Sequence, residues 1–211
     1  MFKANEINMK ATAVAPSNIA FIKYWGKKDE ELRLPSNGSV SVNLSNLLTI
    51  TTVEFSAALK EDIIIYNKKL IEEGRTQKRV VTHLNRIRSL ANLKYKAKTM
   101  TETDFPDAAG LASSASGYAA LTVAASSAAE LELSQKQLSI LARTASGSAC
   151  RSIPDGFVEW LDGNTNETSY AKSIFPADYW KIVVVVVIVG REKKEVSSTQ
   201  GHKLLSTNPF F

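Results

Sequence analysis

Residues 110–117, GLASSASG, carry almost no side chain larger than a hydroxymethyl apart from Leu111, and they open into an alanine-rich run reaching about Leu133. Such a run has two physical readings. Small residues let a helix pack closely against its neighbours. A small-residue loop at a helix start also lets backbone N–H groups converge on an anion, at the positive end of the helix dipole. Ser113, Ser114 and Ser116 would add hydroxyl donors. Both readings stay open on composition. No lysine follows, so this is not the G-x-x-x-x-G-K-S/T phosphate loop.

A second small-residue loop, Ala145-Ser146-Gly147-Ser148-Ala149-Cys150-Arg151, ends in a guanidinium suited to a carboxylate or phosphate. Its plain alternative is a helix-to-strand connector with a surface arginine. A third segment, Lys23-Tyr24-Trp25-Gly26-Lys27-Lys28, sets two aromatics among three lysines. Nucleic-acid binders interleave such residues too, but Asp29, Glu30 and Glu31 follow at once and would repel a polyanion. A small anionic ligand suits the segment better, with Tyr24 and Trp25 as core aromatics the other option.

The rest of the chain reads as α+β. Strands are expected at Met9–Ala15 (ended by Pro16), Ser39–Leu44, Leu48–Phe55, Asp62–Tyr66, Lys94–Thr103 and Gly156–Leu161. Asn67-Lys68-Lys69 should turn a hairpin. Arg75–Leu93 shows the three-and-four spacing of an amphipathic helix, and Ser134 with Gln137 forms a capping box for another. The run Ile182–Val189 (IVVVVVIV) is too short to span a bilayer and reads as a strand buried on both faces. Met1–Lys10 lacks the apolar core of a secretory signal, so no leader and no membrane partner are expected. One cysteine rules out a disulfide framework and suits a reducing cytoplasm. Two histidines rule out a His-rich metal cage, and no metal-ligating residue is assigned. The net charge of +5 fits an anionic partner without choosing one.

Four segments in order, APSNIAFIKYWGKKD (15–29), FPDAAGLASSASGYAAL (105–121), ASGSACRS (145–152) with GFVEW (156–160), and EVSSTQG (195–201), closely resemble the diphosphomevalonate decarboxylases of the GHMP kinase superfamily. The resemblance runs from about Ala13 to Phe211. It implies an N-terminal lobe of ribosomal-protein type with a left-handed β-α-β crossover. That lobe is expected over 1–190, with 191–211 the start of a C-terminal lobe largely missing from this chain. It implies ATP-dependent conversion of mevalonate 5-diphosphate to isopentenyl diphosphate with Mg²⁺. ATP phosphorylates the tertiary 3-hydroxyl, phosphate leaves, and CO₂ is lost to form the alkene.

By resemblance Gly110, Leu111, Ala112, Ser113, Ser114 and Ser116 cradle ATP. Tyr24, Trp25, Gly26, Lys27, Arg75, Ser146, Gly147, Ser148, Ala149, Cys150, Arg151 and Thr199 contact the substrate. Lys23 stands near the reacting centre and Arg151 orients the carboxylate. Asp155 replaces a family glycine before GFVEW, and His202 a methionine after SSTQG. The family's catalytic aspartate belongs to the C-terminal lobe and no residue here takes its place, so little turnover is expected of this chain alone. A homodimer is in keeping with the family, and nucleic acid is not an expected partner. The alternatives are a decarboxylase or kinase acting on mevalonate 5-phosphate, and a non-catalytic nucleotide- or anion-binding lobe.

Overall fold

An 18-residue strand, β4 (Ser39–Ser56), organises the computed structural model, which describes residues 9–105 and 113–187. Strand β1 (Lys10–Ile22) pairs antiparallel along one edge of β4, from Lys10 opposite Glu54 to Ile22 opposite Val40. The two strands expected over Ser39–Leu44 and Leu48–Phe55 are thus one, because β1 templates both halves. Pro16 does not end β1. It sits opposite Leu48 at a register shift, and Asn18 resumes the pairing opposite Asn43. Proline has no N–H to donate, and a bulge is where a strand tolerates it.

The other edge of β4 is shared. Strand β7 (Lys96–Thr103) pairs with Thr49–Ser56, and β8 (Phe157–Trp160) with Ser39–Val42. Outside β7 lie β5 (Ile63–Tyr66), which runs parallel to it, and β6 (Lys69–Leu70). The expected hairpin turn is present, with Asn67 and Lys68 at φ 45° and 65°. Outside β8 lies β9 (Ala171–Phe175), which the sequence pattern did not reveal. Two short strands, β2 (Lys27–Asp29) and β3 (Leu34–Pro35), form a separate ribbon.

Helix α1 (Arg75–Ala91) makes the crossover between β5 and β7. Helix α2 (Ser113–Ala128) packs on β1 and β4, and α3 (Gln135–Ala145) packs beside it. The alanines of α2 explain its position: Ala115, Ala119, Ala120, Ala124 and Ala125 are fully buried, so its backbone lies close to the sheet. Val53 and Phe55 of β4, Leu84 and Ile87 of α1, Leu121 of α2 and Leu141 of α3 complete the core. α2 stops before the expected Leu133, where Glu130 turns left-handed (φ 56°) and Leu131 N–H caps the Ser126 carbonyl at 2.9 Å. The capping box of α3 is formed: Ser134 N–H donates to Gln137 Oε1 at 2.9 Å.

Two further expectations are corrected. The loop after α3 is a 3-10 turn, Gly147–Ser152. Residues 180–187 form no strand, and Val183, Val185 and Val187 are 81%, 79% and 77% exposed. β-branched residues favour a strand only where a neighbour pairs with it, and among the described residues none does. Ile188 and Val189 lie outside the described residues, as does the proposed second lobe over 191–211. No helix among the described residues is long and apolar enough to cross a membrane.

Two predictions concern stability. Gly156 has φ +77°, and a Cβ there would come within 2.5 Å of the Phe175 carbonyl oxygen and 2.9 Å of the Ala177 nitrogen. Gly156→Ala is expected to cost about 3 kcal/mol, read as a lower urea midpoint at unchanged slope. His83 is fully buried, with Nε2 2.8 Å from Thr122 Oγ1, whose hydroxyl donates to the Tyr118 carbonyl at 2.6 Å. Burial, helped by Arg86, holds its pKa down to about 3 from 6.5. The unfolded chain therefore takes up a proton that the folded chain refuses, and the His83 contribution is lost as pH falls from 6.5 towards 3. Stability measured against pH should fall less steeply over that window in His83→Leu than in the parent.

Candidate functional site: a cationic cavity at the end of β1

Past Ile22 the chain leaves the sheet as Lys23-Tyr24-Trp25-Gly26, and Asn37 fastens this segment. Its Oδ1 accepts from Trp25 N–H at 3.0 Å, and its Nδ2 donates to the Lys23 carbonyl at 2.9 Å. Gly26 makes the bend at φ 81°. The Tyr24 ring stands edge-on to Trp160 with centroids 4.6 Å apart. The segment walls a cavity of about 500 Å³ through Lys23, Tyr24, Trp25 and Lys27. Arg75, Thr76 and Arg79 of α1 form a second wall, and Ser114 of α2 a third. Ser146, Gly147, Ser148 and Arg151 of the 3-10 turn close it, with Arg33 beside them. Segments about 130 residues apart in sequence meet here, as in the Asn18–Ser148 bond. Among the described residues six of those lining it are cations and none is an acid.

Arg151 is the most constrained of them. It is 5% exposed, and its described hydrogen bonds are all to neutral groups: Nη1 to Ser39 Oγ at 2.6 Å, and Nη2 and Nε to Asn18 Oδ1 at 3.0 and 3.3 Å. Asn18 in turn donates to the Ser148 carbonyl at 3.1 Å and Ser152 Oγ at 2.8 Å. One amide thus ties β1 to the 3-10 turn and aims the guanidinium. Tyr24 and Trp160 lie 5.8 and 6.0 Å from the guanidinium carbon. Burial lowers the Arg151 pKa and raises that of the Tyr24 phenol. A buried cation without a carboxylate partner is an acceptor for a ligand's anion.

The arginines of the second wall are held by a helix end. The last carbonyls of α3 have no intrahelical donor and carry the negative end of its dipole. The Thr144 carbonyl accepts from Arg33 Nε at 3.0 Å and Arg86 Nη1 at 3.3 Å, and the Ala145 carbonyl from Arg79 Nη2 at 3.1 Å. Arg79 also lies 4.8 Å over the Tyr118 ring. Lys27 is the exception among the cations, since its Nζ pairs with Glu30 at 2.7 Å.

A second cavity, of about 470 Å³, adjoins the first through Thr76, Arg79 and Ser114. It is more apolar, with Ile64 and Tyr66 of β5, Ile71, Val80 and Leu121 in its lining. Ser114 of α2 stands at the junction, and Ser113 before it lines the second cavity.

Of the residues singled out from sequence, Lys23, Tyr24, Trp25, Lys27, Arg75, Ser114, Ser146, Gly147, Ser148 and Arg151 line the first cavity. Gly26 is buried behind it. Three others face elsewhere, which corrects the expectation for their side chains. Ser116 is fully buried and accepts from Thr49 Oγ1 at 2.7 Å. Ala149 and Cys150 pack into the core because a 3-10 turn directs part of its residues inward. Cys150 donates to the Gly147 carbonyl at 3.0 Å, and burial pushes its thiol up to about 12. Gly110, Leu111, Ala112 and Thr199 lie outside the described residues. The sequence reading passed over Arg33, Thr76 and Arg79. Arg79 follows Arg75 by one turn of α1, a legible spacing, while the apolar stripe drew the reading of that helix. Nothing near Arg33 in sequence announces its bond to Thr144. No cluster of three or more His, Cys, Asp or Glu suited to a metal occurs among the described residues.

Residues 15–171 match the family model of the diphosphomevalonate decarboxylase-like N-terminal domain. The chain is 41% identical over 210 residues to the diphosphomevalonate decarboxylase of Aspergillus fumigatus, covering 91% of this chain and 52% of that protein. Its fold is similar to the mevalonate diphosphate decarboxylase from Enterococcus faecalis (TM-score 0.76, 49% identity, 81% of this chain and 53% of that one). It is also similar to MDDEF in complex with MVAPP, AMPPCP and magnesium (TM-score 0.82, 44% identity, 92% and 59%). The chain spans about half the length of the curated relatives it matches.

Gly147 tests the geometry of the cavity. A Cβ on it would lie 2.8 Å from the Tyr24 hydroxyl and 3.2 Å from the Trp160 ring. Gly147→Ala should force Tyr24 off Trp160, change the near-ultraviolet circular dichroism of the pair and cost about 1–3 kcal/mol in urea unfolding. An unchanged near-ultraviolet spectrum would show that the cavity wall yields without moving Tyr24.

Proposed function

Since the chain belongs to the diphosphomevalonate decarboxylase-like family by its N-terminal domain, we propose that it binds mevalonate 5-diphosphate and ATP for ATP-dependent decarboxylation to isopentenyl diphosphate. The observation that carries this is the charge of the cavity: among the described residues, six cations, no acid, and a buried guanidinium whose hydrogen bonds go to neutral groups. Such a wall suits a substrate with a diphosphate at one end and a carboxylate at the other. The number of cations favours a diphosphate over a monophosphate.

In this reading Arg151 takes the carboxylate. Asn18 and Ser39 fix its plane, so orientation is set before the ligand arrives. Arg75 and Arg79 take the diphosphate with Lys27, and Ser146 and Ser148 add hydroxyl donors. Lys23 stands at the cavity beside the reacting centre and offsets the charge that develops there. The adjoining apolar cavity takes the nucleoside, and Ser114 at the N-terminus of α2 lies where the two cavities meet, with Ser113 before it, towards the triphosphate. Ser113 and Ser114 would offer side-chain hydroxyl oxygens to a Mg²⁺ carried by the nucleotide, and the ion would supply charge neutralisation for the phosphates. No lining residue is an acid, so the described walls supply no base for the 3-hydroxyl. A reducing cytoplasmic setting suits the single buried thiol.

Calorimetry and a coupled assay test this together. The parent chain should bind mevalonate 5-diphosphate and turn it over little. Arg151→Gln should weaken that binding by about tenfold to a hundredfold while ATP binding stays within about twofold. Equal losses for both ligands would remove Arg151 from the carboxylate.

A further inference from the structure

At the α3 C-terminus, where Thr144 and Ala145 form part of its wall, lies a further cavity of about 410 Å³, lined by Arg33, Arg75, Lys78, Arg79 and Arg86 with Thr82 among them. Lys78 and Arg86 do not line the inner cavity, whereas Arg33, Arg75 and Arg79 line both. No ion pair engages any of these five cations among the described residues. Like charges gathered in this way repel, and the Arg33 pKa is lowered by burial and by Arg79 and Arg86 nearby. The repulsion is offset in part by the Thr144 and Ala145 carbonyls that anchor Arg33, Arg86 and Arg79, and by the Tyr118 ring beneath Arg79. Each anchor uses one N–H of a guanidinium that has five, so most donors remain for a ligand.

We infer that Arg33, Arg75, Lys78, Arg79 and Arg86 form a second anion site that takes a phosphate or diphosphate group and overlaps the Tyr24–Arg151 cavity through Arg33, Arg75 and Arg79. Five cations around one space of about 410 Å³ match the compact charge and the several acceptor oxygens of a small polyanion. The site stands whatever reaction the inner cavity performs. Its consequence is coupling. An anion in the outer site draws on Arg33, Arg75 and Arg79, which the inner site also uses, so each ligand weakens the other by the same factor.

Inorganic pyrophosphate titrated into the full 211-residue chain by calorimetry provides the test. A binding event is expected that Lys78→Gln with Arg86→Gln weakens about tenfold or more and that Arg151→Gln leaves in place. Lys78 is exposed and Arg86 half-buried, and a thermal melt of the double variant close to that of the parent confirms that it folds. Orthophosphate titrated separately distinguishes the source. Saturation by orthophosphate points to a released phosphate, and saturation by pyrophosphate alone to a diphosphate ester. A parent chain that binds neither, a double variant whose binding is unchanged, or tighter binding of a poly-glutamate peptide than of pyrophosphate at these residues would overturn the proposal.

Discussion

Arg151 sets the terms for the rest of the structure. Removing an unpaired cation from water costs on the order of several kcal/mol, and a fold tolerates it only where other contacts compensate. Here the compensation is neutral: one amide oxygen, one hydroxyl and the edges of two aromatic faces. That choice binds distant elements together. Asn18 lies just past the register shift of β1, Ser39 opens β4, and Arg151 sits in the 3-10 turn after α3. Had a carboxylate stood in place of Asn18, the charge would be satisfied internally and the cavity would have no use for an anionic ligand.

Arg143 shows the contrast. It too is fully buried without an acid, yet its donors go to the carbonyls of Leu32, Asn166 and Ser169 and to Asn166 Oδ1. It lines none of the three cavities and pins the ribbon region to the segment before β9. The same residue type therefore serves as a fastener where four of its five donors meet carbonyl oxygens, and as a ligand group where donors face open space. The α3 C-terminus combines the two uses, since its free carbonyls fasten Arg33, Arg79 and Arg86 by one edge and leave the rest exposed to a ligand.

The small-residue run likewise resolves differently along its length. From Ala115 onward the alanines answer to packing, and Ser116 is consumed by Thr49. Ser113 and Ser114 remain at the cavities. Composition alone leaves these two uses indistinguishable, because a small side chain permits close approach of a sheet and of a phosphate equally. What separates them is whether β4 or open space lies opposite.

Local signals were legible in the sequence wherever their physics is local. The capping box at Ser134, the Asn67-Lys68 turn and the periodicity of α1 depend on residues a few positions apart, and each is present. Three of the four family motifs fall wholly or partly within the described residues, and residues from each of the three line one cavity. The valine run misled because strand propensity is realised only with a partner, which no stretch of sequence displays. β9, the continuity of β4, Arg33 and the outer arginine cavity were illegible for one reason: each exists through contacts between residues far apart in the chain. Sequence by itself determined which residue types and motifs were available. Tertiary packing decided which of them share a space, and among the described residues it lined that space with arginines and no carboxylate.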